Sequence, residues 1–233
     1  MFYLDPMYLA FMIPAFLLVM ISRMWVTSTY RKWGRMRNSL GMSGEAAAQR
    51  LLTQASLNGV TVAAAQGTLS DHYDPRDKTL HLSRGVASEP SVASLAITAH
   101  EIGHAMQDHE GYLPLRFRSA IVPAVSIGSN LGWILLIIGV VLRSFQLASL
   151  GLLVFSGGAI FALATLPVEL NASARARRLL SDSGLLYSDA ERGGVNSMLN
   201  AAAFTYVAGL ASALLQLLYW ASVVGGIGGR RRS

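Results

Sequence analysis

Four stretches of this 233-residue chain carry no charged side chain over roughly the length a membrane-spanning helix needs. They lie between Asp5 and Arg23 (17 residues), Arg118 and Arg143 (24), Arg143 and Glu169 (25), and Arg192 and Arg230 (37). About 20 apolar residues cross the hydrocarbon core of a bilayer. The expected spans are therefore 3–22, 120–142, 146–168 and 202–225. A cleaved leader is the other reading of the first span. Asp5 is the only charge ahead of it and no small-x-small site follows, so a retained anchor is expected. The second and third spans are joined only by residues around Arg143, Ser144 and Phe145, which forces an antiparallel hairpin.

Composition supports this reading. Charged residues make up 14% of the chain and hydrophobic ones 52%, against about 25% charged in a typical soluble domain. An ordinary soluble globule and a disordered chain are both excluded. Cysteine is absent, which removes disulfides, thiolate metal sites and a thiol nucleophile. The net charge of +6 fits basic flanks of membrane spans. No basic run is interleaved with aromatics, so nucleic acid is not an expected partner.

Basic residues near span ends also set orientation. Arg31, Lys32, Arg35, Arg37, Arg116, Arg118, Arg175, Arg177, Arg178 and Arg192 belong to the segments 24–118 and 169–200. Arg143 and the tail residues Arg230, Arg231 and Arg232 lie on the other side. Both long polar segments are thus expected in the cytoplasm of a multi-pass cell-membrane protein, with the terminal Arg triplet standing against that side for the tail. The expected fold is mostly α, with about four transmembrane helices and a small cytoplasmic α+β segment over 24–118. Residues 169–200 form a second cytoplasmic, helical segment.

Within 24–118, Ser43 predicts a cap for a helix through EAAAQRLLTQAS that ends near Asn58-Gly59. A strand over GVTVAAA follows, then a hairpin from LSDHY through the turn Asp74-Pro75-Arg76-Asp77 into KTLHLS. Leu80 and Leu82 alternate with Thr79, His81 and Ser83, as in a half-buried strand. Ser88 then predicts the cap of a helix through SVASLAITAHEIGHAMQD.

That helix contains His100-Glu101-Ile102-Gly103-His104. Residues four apart share a helix face, so both imidazoles can converge on one zinc ion. Glu101, beside the first histidine, is placed to act as general base on a zinc-activated water. Gly103, with Ala99 and Ala105, leaves room for close packing. The plain reading of this segment is a surface helix with two solvated histidines. Its neighbours Val92, Leu95, Ala96, Ile97 and Ala99 are too apolar for a solvated helix, and burying Glu101 unpaired would be costly.

Catalytic zinc usually takes a third protein ligand. His109 faces away on an ideal helix, and Glu110 stands where a metzincin would need histidine. Glu169, at the end of an uncharged span and on the side assigned to the polar segments, is the better candidate. The alternative is a snorkelling carboxylate that marks the end of the span. Asp71, Asp74 and Asp77 lack the spacing of a calcium loop and read as a turn.

The segments LSDHYDPRDKTLHLS, AHEIGHAMQDHEGYLPLRFRSAIVPAVSIGSNLGW and TLPVELNASARARRLL resemble the YugP-type family of membrane-bound neutral zinc metallopeptidases. The resemblance runs from about Tyr3 to Leu218, and the family resembles the HtpX-like gluzincins. It implies one zinc ion held by His100, His104 and Glu169, with Glu101 as base, in an enzyme that hydrolyses peptide bonds; location at the membrane points to membrane proteins or their exposed ends as substrates. HtpX-like enzymes carry an Asp four residues after the ligand Glu. Here that position is Ser173, whose hydroxyl can still bond an imidazole, and Asn171 is an alternative orienting residue. The resemblance also implies that an edge strand, assigned to Leu80, His81, Leu82 and Ser83, pairs with substrate backbone. His72 and Tyr73 are candidates to face the cleft and donate to the tetrahedral oxyanion, or else serve only the hairpin turn.

A reading of another class is a membrane scaffold with a structural or inactive zinc site. Small residues in IGSNLGW, GGAIFALA and YVAGLASALL suit helix packing, within the chain first, and otherwise with membrane-protein partners or in a homo-oligomer.

Overall fold

The computed structural model describes residues 5–229. The first two residues of the expected first span and the tail Arg230, Arg231 and Arg232 lie outside them. Among the described residues the order of elements is α1 (Pro6–Gly34), α2 (Gly44–Gln54), β1 (Thr61–Ala65), β2 (His72–Asp74), β3 (Thr79–Ser83), α3 (Arg84–Ser88), α4 (Val92–His109), α5 (Leu113–Val141), α6 (Phe145–Phe155), α7 (Gly157–Asp182) and α8 (Asp189–Gly229). Four helical segments are long and apolar enough to cross a membrane: Pro6–Gly34, Leu113–Val141, Phe145–Asp182 and Asp189–Gly228. Phe16, Ile127 and Leu153 on them are between 67% and 72% exposed. Side chains this apolar, turned outward on three helices, require lipid around them. The chain is a mostly α membrane protein with a small α+β part.

It divides into two compact units. One comprises residues 5–22, 117–166 and 205–229. Here α5 and α6 are joined by a tight turn in which Arg143 takes a positive φ of 52°, and Ser144 caps α6 through Leu147 N–H. The two helices meet at backbone level. A Cβ on Gly151 would strike the backbone of Leu136, and one on Gly139 would strike that of Ala148. Aromatic edges complete the packing, with Trp133 and Tyr219 both meeting Trp220 edge-on.

The other unit comprises Arg23–Arg116 and Pro167–Phe204. The Ser43 side chain caps α2 by accepting from Ala46 N–H. The helix stops at Gln54, and Ser56 follows in the left-handed region. Ala47, Ala48, Leu51 and Leu52 form its buried face. In the β-hairpin, Asp74 Oδ1 accepts from Arg76 N–H at 2.9 Å and closes the turn. The cap of α4 is Ser91, three residues later than expected. Its hydroxyl accepts from Ser94 N–H at 3.0 Å. Leu80, Leu82, Leu95, Ile102 and Leu180 meet in one core.

The strand order is β1-β3-β2. β3 runs parallel to β1 and antiparallel to β2. Thr79 and Ser83 are therefore buried together with Leu80 and Leu82. The assignment of Leu80, His81, Leu82 and Ser83 to a substrate-binding edge strand is corrected here. They form the middle strand, and the ladders with β1 and β2 occupy its two sides.

Candidate metal centre

Helix α4 carries His100, Glu101 and His104, and α7 carries Glu169 and Ser173, all within one compact unit. The two helices approach closely because Gly103 has no side chain. A Cβ there would lie 2.6 Å from the Ala172 carbonyl oxygen. From one turn before Gly103 and from the residue directly after it, the imidazoles of His100 and His104 reach across to the same carboxylate. His100 Nε2 lies 3.2 Å from Glu169 Oε2, and His104 Nε2 lies 3.4 Å from it. One ligating atom from each of the three residues falls within 4.8 Å of the others. Glu169 is 3% exposed.

The outer nitrogens of both rings are also engaged. Ser173 Oγ lies 3.2 Å from His100 Nδ1, and Gln107 Oε1 lies 3.0 Å from His104 Nδ1. With each Nδ1 held from outside, each Nε2 lone pair can turn toward the carboxylate. Two imidazole nitrogens and one carboxylate oxygen are a donor set that tetrahedral zinc accepts, with a fourth position open. The charges agree. Two buried carboxylates, Glu101 and Glu169, face two imidazoles, and a divalent cation balances them. The residues fit the metal.

Glu101 is placed from β2, where Tyr73 N–H donates to its Oε2 at 3.1 Å. Burial pushes the Glu101 carboxyl above its ordinary range, and the neighbouring His100 and His104 oppose that rise. Burial also works against a proton on His104, but Glu169 and Glu101 outweigh it and hold this imidazole above its ordinary range.

The remaining expected residues are spread around this centre. The Tyr73 hydroxyl donates to Asp108 Oδ2 at 2.9 Å, so its backbone N–H is the group that meets Glu101. His72 is exposed, stacks on His81 with ring centroids 4.6 Å apart, and bonds the Ser70 carbonyl through Nδ1. Asn171 Oδ1 accepts from Gln107 Nε2 at 2.9 Å and from Arg175 Nε at 2.7 Å. It reaches His104 only through Gln107. Gln107 itself was not singled out from sequence. Its signal is the spacing of three from His104, which puts an amide on the face of a ligand-type histidine.

The family described as "Putative neutral zinc metallopeptidase" matches this chain over residues 8–225. A curated relative, "Putative membrane protease YugP" of Bacillus subtilis (strain 168), is 39% identical over 193 residues, covering 83% of this chain and 85% of the relative. No solved structure matches. A match that takes in all four apolar helices and both helices of the buried His–His–Glu cluster is decisive: the chain belongs to this family of neutral zinc metallopeptidases.

Proposed function

We propose that this protein is an integral membrane endopeptidase of gluzincin type, with one zinc ion held by His100, His104 and Glu169. The observation that carries the proposal is the convergence of two Nε2 atoms and one carboxylate oxygen within 4.8 Å at a buried point. A zinc ion bound there would supply Lewis acidity toward a peptide carbonyl and toward water. The protein's own part is proton transfer and orientation. Tyr73 N–H holds the Glu101 carboxylate through Oε2, and this carboxylate acts on the attacking water. Glu101 takes one proton from that water as its oxygen bonds to the carbonyl carbon. It then delivers the proton to the departing amine nitrogen as the C–N bond breaks. Ser173 and Gln107 orient the two imidazoles from outside.

Peptides or the exposed parts of membrane proteins are the substrate class. The basic residues of 24–118 and 169–200 support a site facing the cytoplasm from the cell membrane. The test is Glu101→Gln in the full chain in detergent, assayed on an unstructured protein. Cleavage falls by about 10²–10⁴ while one zinc per chain is retained. Undiminished cleavage removes Glu101 from the mechanism. A function that survives Glu101→Gln in full belongs to a scaffold, not an enzyme.

A further inference from the structure

Gln107 is fully buried, and a buried amide works only in one of its two orientations. Arg175, acting through Asn171, and the Val168 carbonyl decide which. A guanidinium has donors and no acceptor. Its terminal nitrogens hold the Glu110 carboxylate at 2.5 and 2.7 Å, and its Nε donates to Asn171 at 2.7 Å. The Asn171 atom that receives this bond must be oxygen. The same oxygen lies 2.9 Å from the Gln107 amide, so Gln107 turns its NH₂ toward it. The Val168 carbonyl, an obligate acceptor 2.8 Å from the same nitrogen, demands the same orientation. Gln107 is thereby left with its oxygen, 3.0 Å from His104 Nδ1. An acceptor in that place keeps the imidazole proton on Nδ1 and leaves the Nε2 lone pair turned toward Glu169.

We propose that Gln107 is a positioning residue that fixes His104 in its metal-binding tautomer, and that Glu110, Arg175 and Asn171, together with the Val168 carbonyl, set the Gln107 amide. The proposal rests on the reading of His104 as a zinc ligand. It makes the two imidazoles unlike. The partner of His100 is the Ser173 hydroxyl, which can donate or accept, so His100 has no enforced tautomer. His104 has one, held by the Val168 carbonyl and by Asn171, and Asn171 is tied to an ion pair whose Glu110 side chain is 51% exposed. A change of charge at that surface pair therefore reaches a buried ligand through two amides.

The test measures zinc affinity of the full chain in detergent by competition with a chromophoric chelator, alongside thermal melting of the zinc-free protein. Gln107→Leu removes the acceptor and weakens zinc by about 10–100-fold, the range for loss of an outer partner of a ligand histidine. Asn171→Leu leaves the Val168 carbonyl as the one acceptor holding the Gln107 amide and weakens zinc by up to about 10-fold. Asn171→Asp keeps the oxygen that accepts from both Arg175 and Gln107, and stays within about threefold of the parent. A purely structural role for Asn171 would show in zinc-free melting and not in this split between Leu and Asp. Parental affinity in Gln107→Leu and Asn171→Leu, in chains that melt cooperatively without zinc, overturns the relay. Equal losses in Asn171→Asp and Asn171→Leu overturn it as well. A parent chain that binds no zinc overturns the metal centre itself, and the relay with it.

Discussion

Residues 23–116 and 167–204 bury three carboxylates, Glu101, Glu169 and Glu191, each with hydrogen-bonding partners from distant parts of the unit. Residues 5–22, 117–166 and 205–229 hold one carboxylate, Asp5, and that one is not buried. Their helices are located instead by missing side chains, at Gly132, Gly139 and Gly151. The contrast follows from the surroundings. Water and a packed core allow a polar unit to be specified by satisfied donors and acceptors. Among lipid-facing helices, backbone-level contact between small residues supplies the specificity. Gly103 is where the polar unit borrows the other unit's device, since it lets α4 touch α7 at Ala172.

If that division holds, substitutions separate into those that move zinc and those that move only stability. Glu169→Ala has the largest expected effect. Metal stoichiometry by mass spectrometry or chelator competition should show a loss beyond the roughly 100-fold that outer partners carry. Gly103→Val drives a side chain into the Ala172 carbonyl. It should lower zinc affinity and also melting, with an overpacking cost of about 1–3 kcal/mol. Gly151→Ala meets the Leu136 backbone, with a similar cost of about 1–3 kcal/mol in detergent melting, yet zinc per chain should stay at the parental value. Zinc loss in this variant would show that the two units are not independently specified. Asp71→Ala strips the carboxylate that accepts from Ser83 N–H at 2.7 Å and from its hydroxyl at 3.0 Å. Ser83 is buried, so about 1–3 kcal/mol of stability should go. Arg76→Ala breaks an ion pair whose arginine side chain is 89% exposed, and melting should shift by no more than about 1 °C.

Local chemistry made much of this legible from sequence. Charge is excluded from lipid, so gaps between charges located the four apolar helices. Their ends were not legible in this way. α1 continues through Arg23, Arg31 and Lys32 to Gly34, because outside lipid a charge does not stop a helix. α8 begins at Asp189 and not near residue 202, started by a reciprocal cap. Ser188 Oγ accepts from Glu191 N–H, and Glu191 Oε2 accepts from Ser188 N–H. The pair of histidines was legible because it depends only on helix period. Their meeting with Glu169 depends on packing between helices, and there the expectation drew on a carboxylate stranded at a span end. The place of β3 in the sheet was not legible. Alternation in Thr79–Ser83 reports burial, while strand order is decided by the partners, 18 residues upstream for β1. Gln107 stayed hidden because its partners Val168 and Asn171 sit on another helix.

The sequence distance between His100 and Glu169 bears on how such a protein comes into being. The residues that meet are 69 positions apart, and the hydrophobic turn-around formed by α5, α6 and the start of α7 is translated between them. A ribosome that has finished the HExxH segment has made an incomplete chelate. On the proposed ligand set, the emerging polypeptide cannot cut itself, its neighbours or the insertion machinery until the later helices have been synthesised. Chain order alone would thus act as a safety catch during biogenesis, with no propeptide needed for that interval.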